Sequence, residues 1–457
     1  MASHVVDYAL FGDQFSTPEM RAIFDERAMI QRWLDVEAAL AAAQAELGLI
    51  PADAAGAIAH GARVERLDLD AVRRDLGVTA HPIVPVVRAL ERAVGEHGRW
   101  VHWGATTQDI MDTGMVLQLR AAHAILVRDL RALTGVLAAT AARHRDTVMA
   151  GRTHAQQALP ITFGFKAAVW VAECLRHLER FEQLAPRLLV GELGGAVGTL
   201  AGLGPRGEEV QRRVMARLGL GVPPIAWHAS RDAVTELVVL LAMVGGTLAR
   251  IANEVIELSR TEVLELEEPF VHGKVGSSTM PHKRNPAHAE RVVAIGRVLR
   301  GLAGTALETM VAAHERDMSV GRAEWALVPE AACLAAAAEH WTLHIARGLR
   351  VDERRMRENL GRTGGLLLSE AVMLRLGAAL GRNAAHDVVY EAAMAAFEDG
   401  RSFRDLLLRD PRVSAVLPAT ELDDALDPAG YTGLAGVFVD RVVAAAERVV
   451  GRTGGPG

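Results

Sequence analysis

The chain has 457 residues, half of them apolar and only 4% aromatic, with a formal charge of −6. That balance provides no basic field for nucleic acid, and no uncharged apolar run reaches the roughly 18 residues of a membrane span. Cys174 and Cys333 are the only cysteines, which excludes a disulfide framework and points to a reducing compartment.

The segment Met1 to Asp13 lacks a charged-then-apolar export pattern, so the expected location is cytoplasmic. Alanine, leucine and arginine dominate and favour helix over sheet. Residues Glu19 to Leu47 read as one helix, with Thr17-Pro18 as its start and Gly48 as its stop. A second helical stretch follows Pro51, and His81-Pro82 interrupts the pattern. From Asp112 to His144 the apolar positions Leu119, Ala122, Leu126, Leu130, Leu133 and Leu137 recur every three or four residues, a long amphipathic helix.

Glycines cluster at Gly191, Gly194, Gly195, Gly198, Gly202 and Gly204. No Gly-Lys-Ser/Thr is present and no G-x-G-x-x-G follows a strand, so close approach of backbones in a bundle is the better reading. Further on, Leu237, Leu241, Val244, Leu248, Ile251, Val255 and Leu258 alternate spacings of four and three, the seam of a bundled helix. A helix from Asp232 to Glu262 would be about 45 Å long, at 1.5 Å per residue. So long an apolar stripe predicts helices from other subunits, hence a homo-oligomer. Beyond Arg347 the helices shorten, with breaks at Gly364-Gly365 and Pro411. No strand-rich region is expected. The chain order suggests three consecutive domains, residues 1–100, 101–346 and 347–457.

The most telling segment is Gly276 to Pro286, G-S-S-T-M-P-H-K-R-N-P. Glycine and proline shape it as a loop, which presents paired hydroxyls with one cation and one amide. That is equipment for holding a carboxylate beside a proton-transfer group. A serine becomes a base only when deprotonated, and Lys283 is a source of the positive charge that favours this. His154, in Gly151-Arg152-Thr153-His154, supplies an imidazole, the side-chain type whose ordinary pKa of about 6.5 suits proton donation at neutral pH. Thr106 and Thr107 are consecutive hydroxyls before a helix start, where orphan N–H groups attract anions. Asp109 reads as a helix cap, since a carboxylate would repel an anionic substrate. Arg231 offers a fork that binds carboxylates in two places. His340 and His344 are a helical turn apart with no supporting motif, so no metal is expected, and the chemistry requires no cofactor.

The 276–286 loop resembles the signature of the aspartase/fumarase superfamily, whose members eliminate across a C–C bond next to a carboxylate. The resemblance implies an all-α, three-domain fold with a central long-helix bundle that assembles into a homotetrameric core. It also implies active sites shared between three subunits, with a small dicarboxylate as substrate. It makes the loop serine the base, with Ser277 favoured over Ser278, and assigns Lys283 and Asn285 to carboxylate binding. The G-R-T-H run resembles the family's second motif, which gives His154 an acid–base role and Glu290 the task of orienting it. Thr106 and Thr107 stand where relatives carry Thr-Ser-Ser-Asp or Thr-Ser-Gln-Asp, and His81 stands where they place a substrate-contacting histidine. Thr153, Ser278 and Met280, within the two motifs, complete the expected substrate-binding set.

Two branches of that family are close. Phe15 to Arg27, His102 to Thr106 and Ala323-Glu324-Trp325 resemble 3-carboxy-cis,cis-muconate cycloisomerases. Adenylosuccinate lyases usually carry a basic-aromatic segment where this chain has Gln14-Phe15-Ser16-Thr17. The cycloisomerases usually lack the histidine and the downstream glutamate that stand here as His154 and Glu290, and His314 to Ser319 leans toward the lyases. The expected activity is therefore β-elimination from a C2-substituted succinate to give fumarate. A nitrogen-linked leaving group is expected: an amine, a substituted amine, or nitrite from a nitrosuccinate. Lactonising cycloisomerase is the alternative and adenylosuccinate lyase a more distant one.

Overall fold

The computed structural model describes residues 3–451 apart from 271, 272, 274–276, 278 and 281. Five long helices dominate: Thr107–Arg143, Phe163–Leu188, Asp232–Leu258, Ala287–Glu308 and Met318–Gly348. All seven seam residues from Leu237 to Leu258 are at most 3% exposed, so the four-and-three spacing marks a face turned fully inward. By length and composition Asp232–Leu258 could cross a membrane, but most of it is buried inside the protein.

Local chemistry moves two expected boundaries. The stretch expected as one helix from Glu19 to Leu47 is two, Pro18–Phe24 and Glu26–Glu46. Asp25 is extended at ψ 143°, and its carboxylate caps the N–H groups of Arg27 and Ala28, so the second helix restarts there. The seam helix stops at Leu258 rather than Glu262. Leu264 takes a left-handed φ of 51°, and the Glu265 N–H then turns back to the Leu258 carbonyl at 2.8 Å.

The chain divides into two compact units. The first comprises the chain up to Leu130, His177–Ala249 and Arg291–His340. Its core joins the N-terminal helices, through Trp33, Leu40, Ile58, Ile83 and Leu90, to Ile110 and Met111 of the 107–143 helix. The second comprises Arg131–Arg176, Arg250–Glu290 and the chain from Trp341 onward. A cluster around Val372, Leu376, Phe403 and Leu407 forms the core of its short C-terminal helices. The cuts fall inside long helices, so these units do not follow the chain-order segments 1–100, 101–346 and 347–457.

The second unit also contains an antiparallel hairpin where no strands were expected, β1 (Val148–Thr153) with β2 (Gln156–Thr162). Ala150 packs it against Leu360, Leu367 and Leu368. A second small pairing joins β3 (Leu266–Glu267) to β4 (Arg350–Val351).

Candidate active site

In the first unit, the 107–143 helix begins with a reciprocal cap. Thr106 donates its N–H to Asp109 Oδ2 at 2.8 Å, and its carbonyl accepts from the Asp109 N–H at 3.1 Å. Asp109 is fully buried and also accepts from the N–H groups of Gly194 and Gly195 and from His228 Nε2. It is the cap expected of it, and more: it docks the glycine cluster onto the helix start. A Cβ at Gly194 would lie 2.9 Å from the Cβ of Ala226, so only glycine fits.

Two charged groups complete this network. Burial pushes the Glu192 carboxyl up to about 7, although the His228 charge and the Trp227 N–H pull the other way. Burial works against a charge on His228, yet the Asp109 hydrogen bond and the Glu192 charge outweigh it and raise its pKa. Ligand atoms of Asp109, Glu192 and His228 lie within 4.8 Å of one another, the one such group among the described residues with metal-binding geometry. Three backbone N–H groups and the His228 ring already fill Asp109, so these atoms form a hydrogen-bonded charge network.

Beside this cap, Arg316 donates from Nη2 to the Thr106 hydroxyl at 2.9 Å and to the Ala196 carbonyl at 2.8 Å. His81 is half-buried. Burial, then the positive charges of Arg316 and Arg322, push its pKa down, so the ring is neutral at pH 7. Its Nδ1 is buried without a hydrogen-bond partner among the described residues. Thr106 and His81 thus share Arg316 as a neighbour, while Thr107 opens the helix. The run His314 to Ser319 does not by its pattern alone assign Arg316 a role.

Arg231 is a correction. It is 2% exposed, with its fork facing two internal carboxylates. Asp112 accepts from Nη1 and Nη2 at 2.8 and 3.2 Å, and Glu324 accepts from Nε at 2.9 Å and from Nη2. The guanidinium lies over Trp227 at 4.9 Å. The donors expected to clamp a substrate are consumed in holding the unit's core.

The second unit carries the proton-transfer candidates. His154 and Ala155 form the two-residue tip of the β1–β2 hairpin, with φ of 52° and 64°, the signature of a type I′ turn. Thr153 and His154 are therefore exposed at the tip. Behind them the strand bulges at Gly151, where a Cβ would meet the Leu159 carbonyl oxygen at 2.8 Å. Arg152 turns inward and forks onto the buried Glu265 at 2.8 and 2.6 Å.

In the signature loop, Ser277 Oγ accepts the backbone N–H of Met280 at 3.1 Å and of Thr279 at 3.4 Å. Donors aimed at that oxygen favour its deprotonated form. Lys283 and Met280 are exposed and Asn285 is half-buried. Ser278 lies outside the described residues. Arg284 is exposed, and it pairs with Glu267 at 2.6 Å and covers Phe270 at 4.7 Å. Glu290 is exposed near the start of the 287–308 helix. Among the described residues of one chain it makes no hydrogen bond to His154.

The chain matches the family model described as "Lyase" over residues 13–301 and the one described as "Adenylosuccinate lyase C-terminus" over 365–442. It is 46% identical to N-acetyl-S-(2-succino)cysteine lyase of Dickeya dadantii (strain 3937), over 97% of this chain and 98% of that protein. It is 43% identical to 3-carboxy-cis,cis-muconate cycloisomerase of Pseudomonas aeruginosa, over 95% and 96%. Among solved structures, a fumarate lyase from Mesorhizobium sp. BNC1 superposes with a TM-score of 0.89 at 42% identity, covering 94% of this chain and 98% of that one.

Proposed function

This chain belongs to the aspartase/fumarase superfamily, in the adenylosuccinate lyase and 3-carboxy-cis,cis-muconate cycloisomerase branch, and we propose that it eliminates the C2 substituent of a substituted succinate to release fumarate. The observation that carries this reading is Ser277 Oγ held by two backbone N–H groups, a hydroxyl set up to become an alkoxide. The alkoxide takes a proton from C3, the C–H electrons form the C2–C3 double bond, and the C2 substituent departs with its bonding pair. Lys283 and Asn285 hold a carboxylate as it gains charge. Thr106, Thr107 and His81 hold the other, and Thr153 and Met280 border them.

For the leaving group we favour sulfur over the nitrogen expected from sequence. The Dickeya relative is named for a succinate thioether of an N-acylated cysteine. A thiol near pKa 8.5 departs as a thiolate with little help, whereas an amine must be protonated as it leaves. His154 then delivers a proton late or orients the substrate, with Glu290 steadying it. Because both side chains are exposed and unpaired with each other within one chain, we place the complete site where subunits of a homotetramer meet. Met243, Val298 and Val169, exposed on three of the long helices, supply apolar surface for that assembly. The two cysteines, neither of them in a disulfide, fit a reducing cytoplasm.

The test is ultraviolet detection of fumarate from a panel of succinates. It holds a 2-thioether of N-acetylcysteine, 2-amino, N-substituted amino and 2-nitro forms, and 3-carboxy-cis,cis-muconate. Fumarate from the thioether supports the reading. Rapid lactonisation of the muconate with no fumarate from any succinate supports the cycloisomerase reading instead, which the 43% identical Pseudomonas relative favours.

A further inference from the structure

We infer that Glu268 is a positioning residue for the proposed elimination, acting by closing the neck of the loop that carries Ser277, Lys283 and Asn285. This rests on the proposed function above. Residues 265–268 read Glu-Leu-Glu-Glu, and each carboxylate has a different task. Glu265 holds Arg152, behind the His154 tip, and also accepts from the Asn359 side-chain amide at 2.8 Å. Glu267 holds Arg284, from the far side of the loop, at 2.6 Å, and Arg350 of β4 at 3.3 Å.

Glu268 is 5% exposed and reaches across the neck. Its carboxylate accepts the backbone N–H of His288 at 3.2 and 3.0 Å and of Ala289 at 3.0 Å. These are orphan donors in the first turn of the 287–308 helix, where a negative charge is favoured. The residue just before the loop is thereby bonded to the first turn after it, and Ser277 lies between the two anchored ends. Closing a long loop at its neck removes conformations in which a base stands away from the C–H bond. A misplacement of about 1 Å can cost roughly 100-fold in rate.

The arrangement also explains three adjacent acidic side chains beside a site that must bind an anion. None presents a free carboxylate to substrate, because Arg152, Arg284 and the helix N–H groups each occupy one.

The experiment compares Glu268→Ala and Glu268→Gln with wild type in the assembled full-length protein. The succinate thioether of N-acetylcysteine, with and without deuterium at C3, is the probe. Expected for Glu268→Ala is a kcat at least tenfold lower and a primary isotope effect at or above that of wild type. Oligomer mass stays unchanged, and the unfolding temperature falls only by the few degrees that loss of a helix cap costs, leaving the protein folded at the assay temperature. Glu268→Gln keeps one acceptor and returns kcat to within about threefold. The inference is overturned by a Glu268→Ala kcat near wild type, by a loss that tracks falling mass or unfolding temperature, by an isotope effect below wild type, or by no recovery with glutamine. Ser277→Ala is run alongside: undiminished turnover in that variant refutes the base assignment itself, whereas its loss beside an unaffected Glu268→Ala refutes only the positioning role.

Discussion

Arg152 forks onto the buried carboxylate of Glu265, and through that pair the hairpin presenting His154 is tied to the strand that leads into the Ser277 loop. Two motifs more than 120 positions apart in sequence are thus set by one ion pair. Glu265 is fully buried, so its charge is tolerated only while Arg152 and Asn359 satisfy it. Arg152→Ala should lower unfolding stability by roughly 3 kcal/mol and reduce kcat beyond what that instability explains. Denaturant titration and initial rates on the same sample check this; unchanged stability would show that the pair is dispensable.

Arg231 should behave as a core residue. Arg231→Met strands Asp112 and Glu324 as two buried carboxylates, and the expected result is a loss of about 3–5 kcal/mol or failure to fold. A substrate clamp would instead show a raised KM in a stable protein, and unfolding curves measured beside KM separate the two.

The Asp109–His228–Glu192 network makes stability fall as pH rises. Both titrating groups have folded pKa values above their ordinary ones, 4.5 for Glu192 and 6.5 for His228. The folded state therefore holds protons more tightly than the unfolded chain. This stabilisation is complete below about pH 4.5 for Glu192 and pH 6.5 for His228. It is lost as pH passes about 7 for Glu192 and the raised value of His228. Unfolding midpoints measured between pH 5 and 8 should decline, and Glu192→Gln should flatten the decline. A slope unchanged by that substitution would remove Glu192 from the account.

Glu339 has no ion pair or hydrogen bond among the described residues at either carboxylate oxygen, and it is fully buried on the alanine-rich helix Met318–Gly348. Burial, with the Asp129 charge adding to it, pushes its pKa well above 4.5. Glu339→Leu should raise the unfolding temperature, and more at pH 8 than at pH 5, because the acid's contribution falls as pH rises above 4.5. A lower unfolding temperature at both pH values would mean the carboxyl has a partner in the assembled protein.

What the sequence revealed was what local periodicity and loop chemistry encode. The seam from Leu237 to Leu258 and the non-helical course of the described residues between 277 and 286 could be read directly, because each follows from a contiguous local pattern. The hairpin could not. Its tip is His154-Ala155, and neither residue advertises the positive φ that glycine or asparagine would have signalled. Arg231 was misread because its partners, Asp112 and Glu324, lie 119 and 93 positions away. A fork that suits a substrate carboxylate suits an internal one equally well. The run Glu265 to Glu268 carried no signal at all, since acidic residues there look like a solvated turn until the fold gives each a partner.

Everything proposed about the reaction depends on Ser277 acting as the base. Ser277→Ala, assayed as fumarate release from the succinate thioether with oligomer mass checked in parallel, tests this most directly. The expected result is a fall in kcat of about 10³-fold or more in an intact assembly. Turnover within a few-fold of wild type would contradict it.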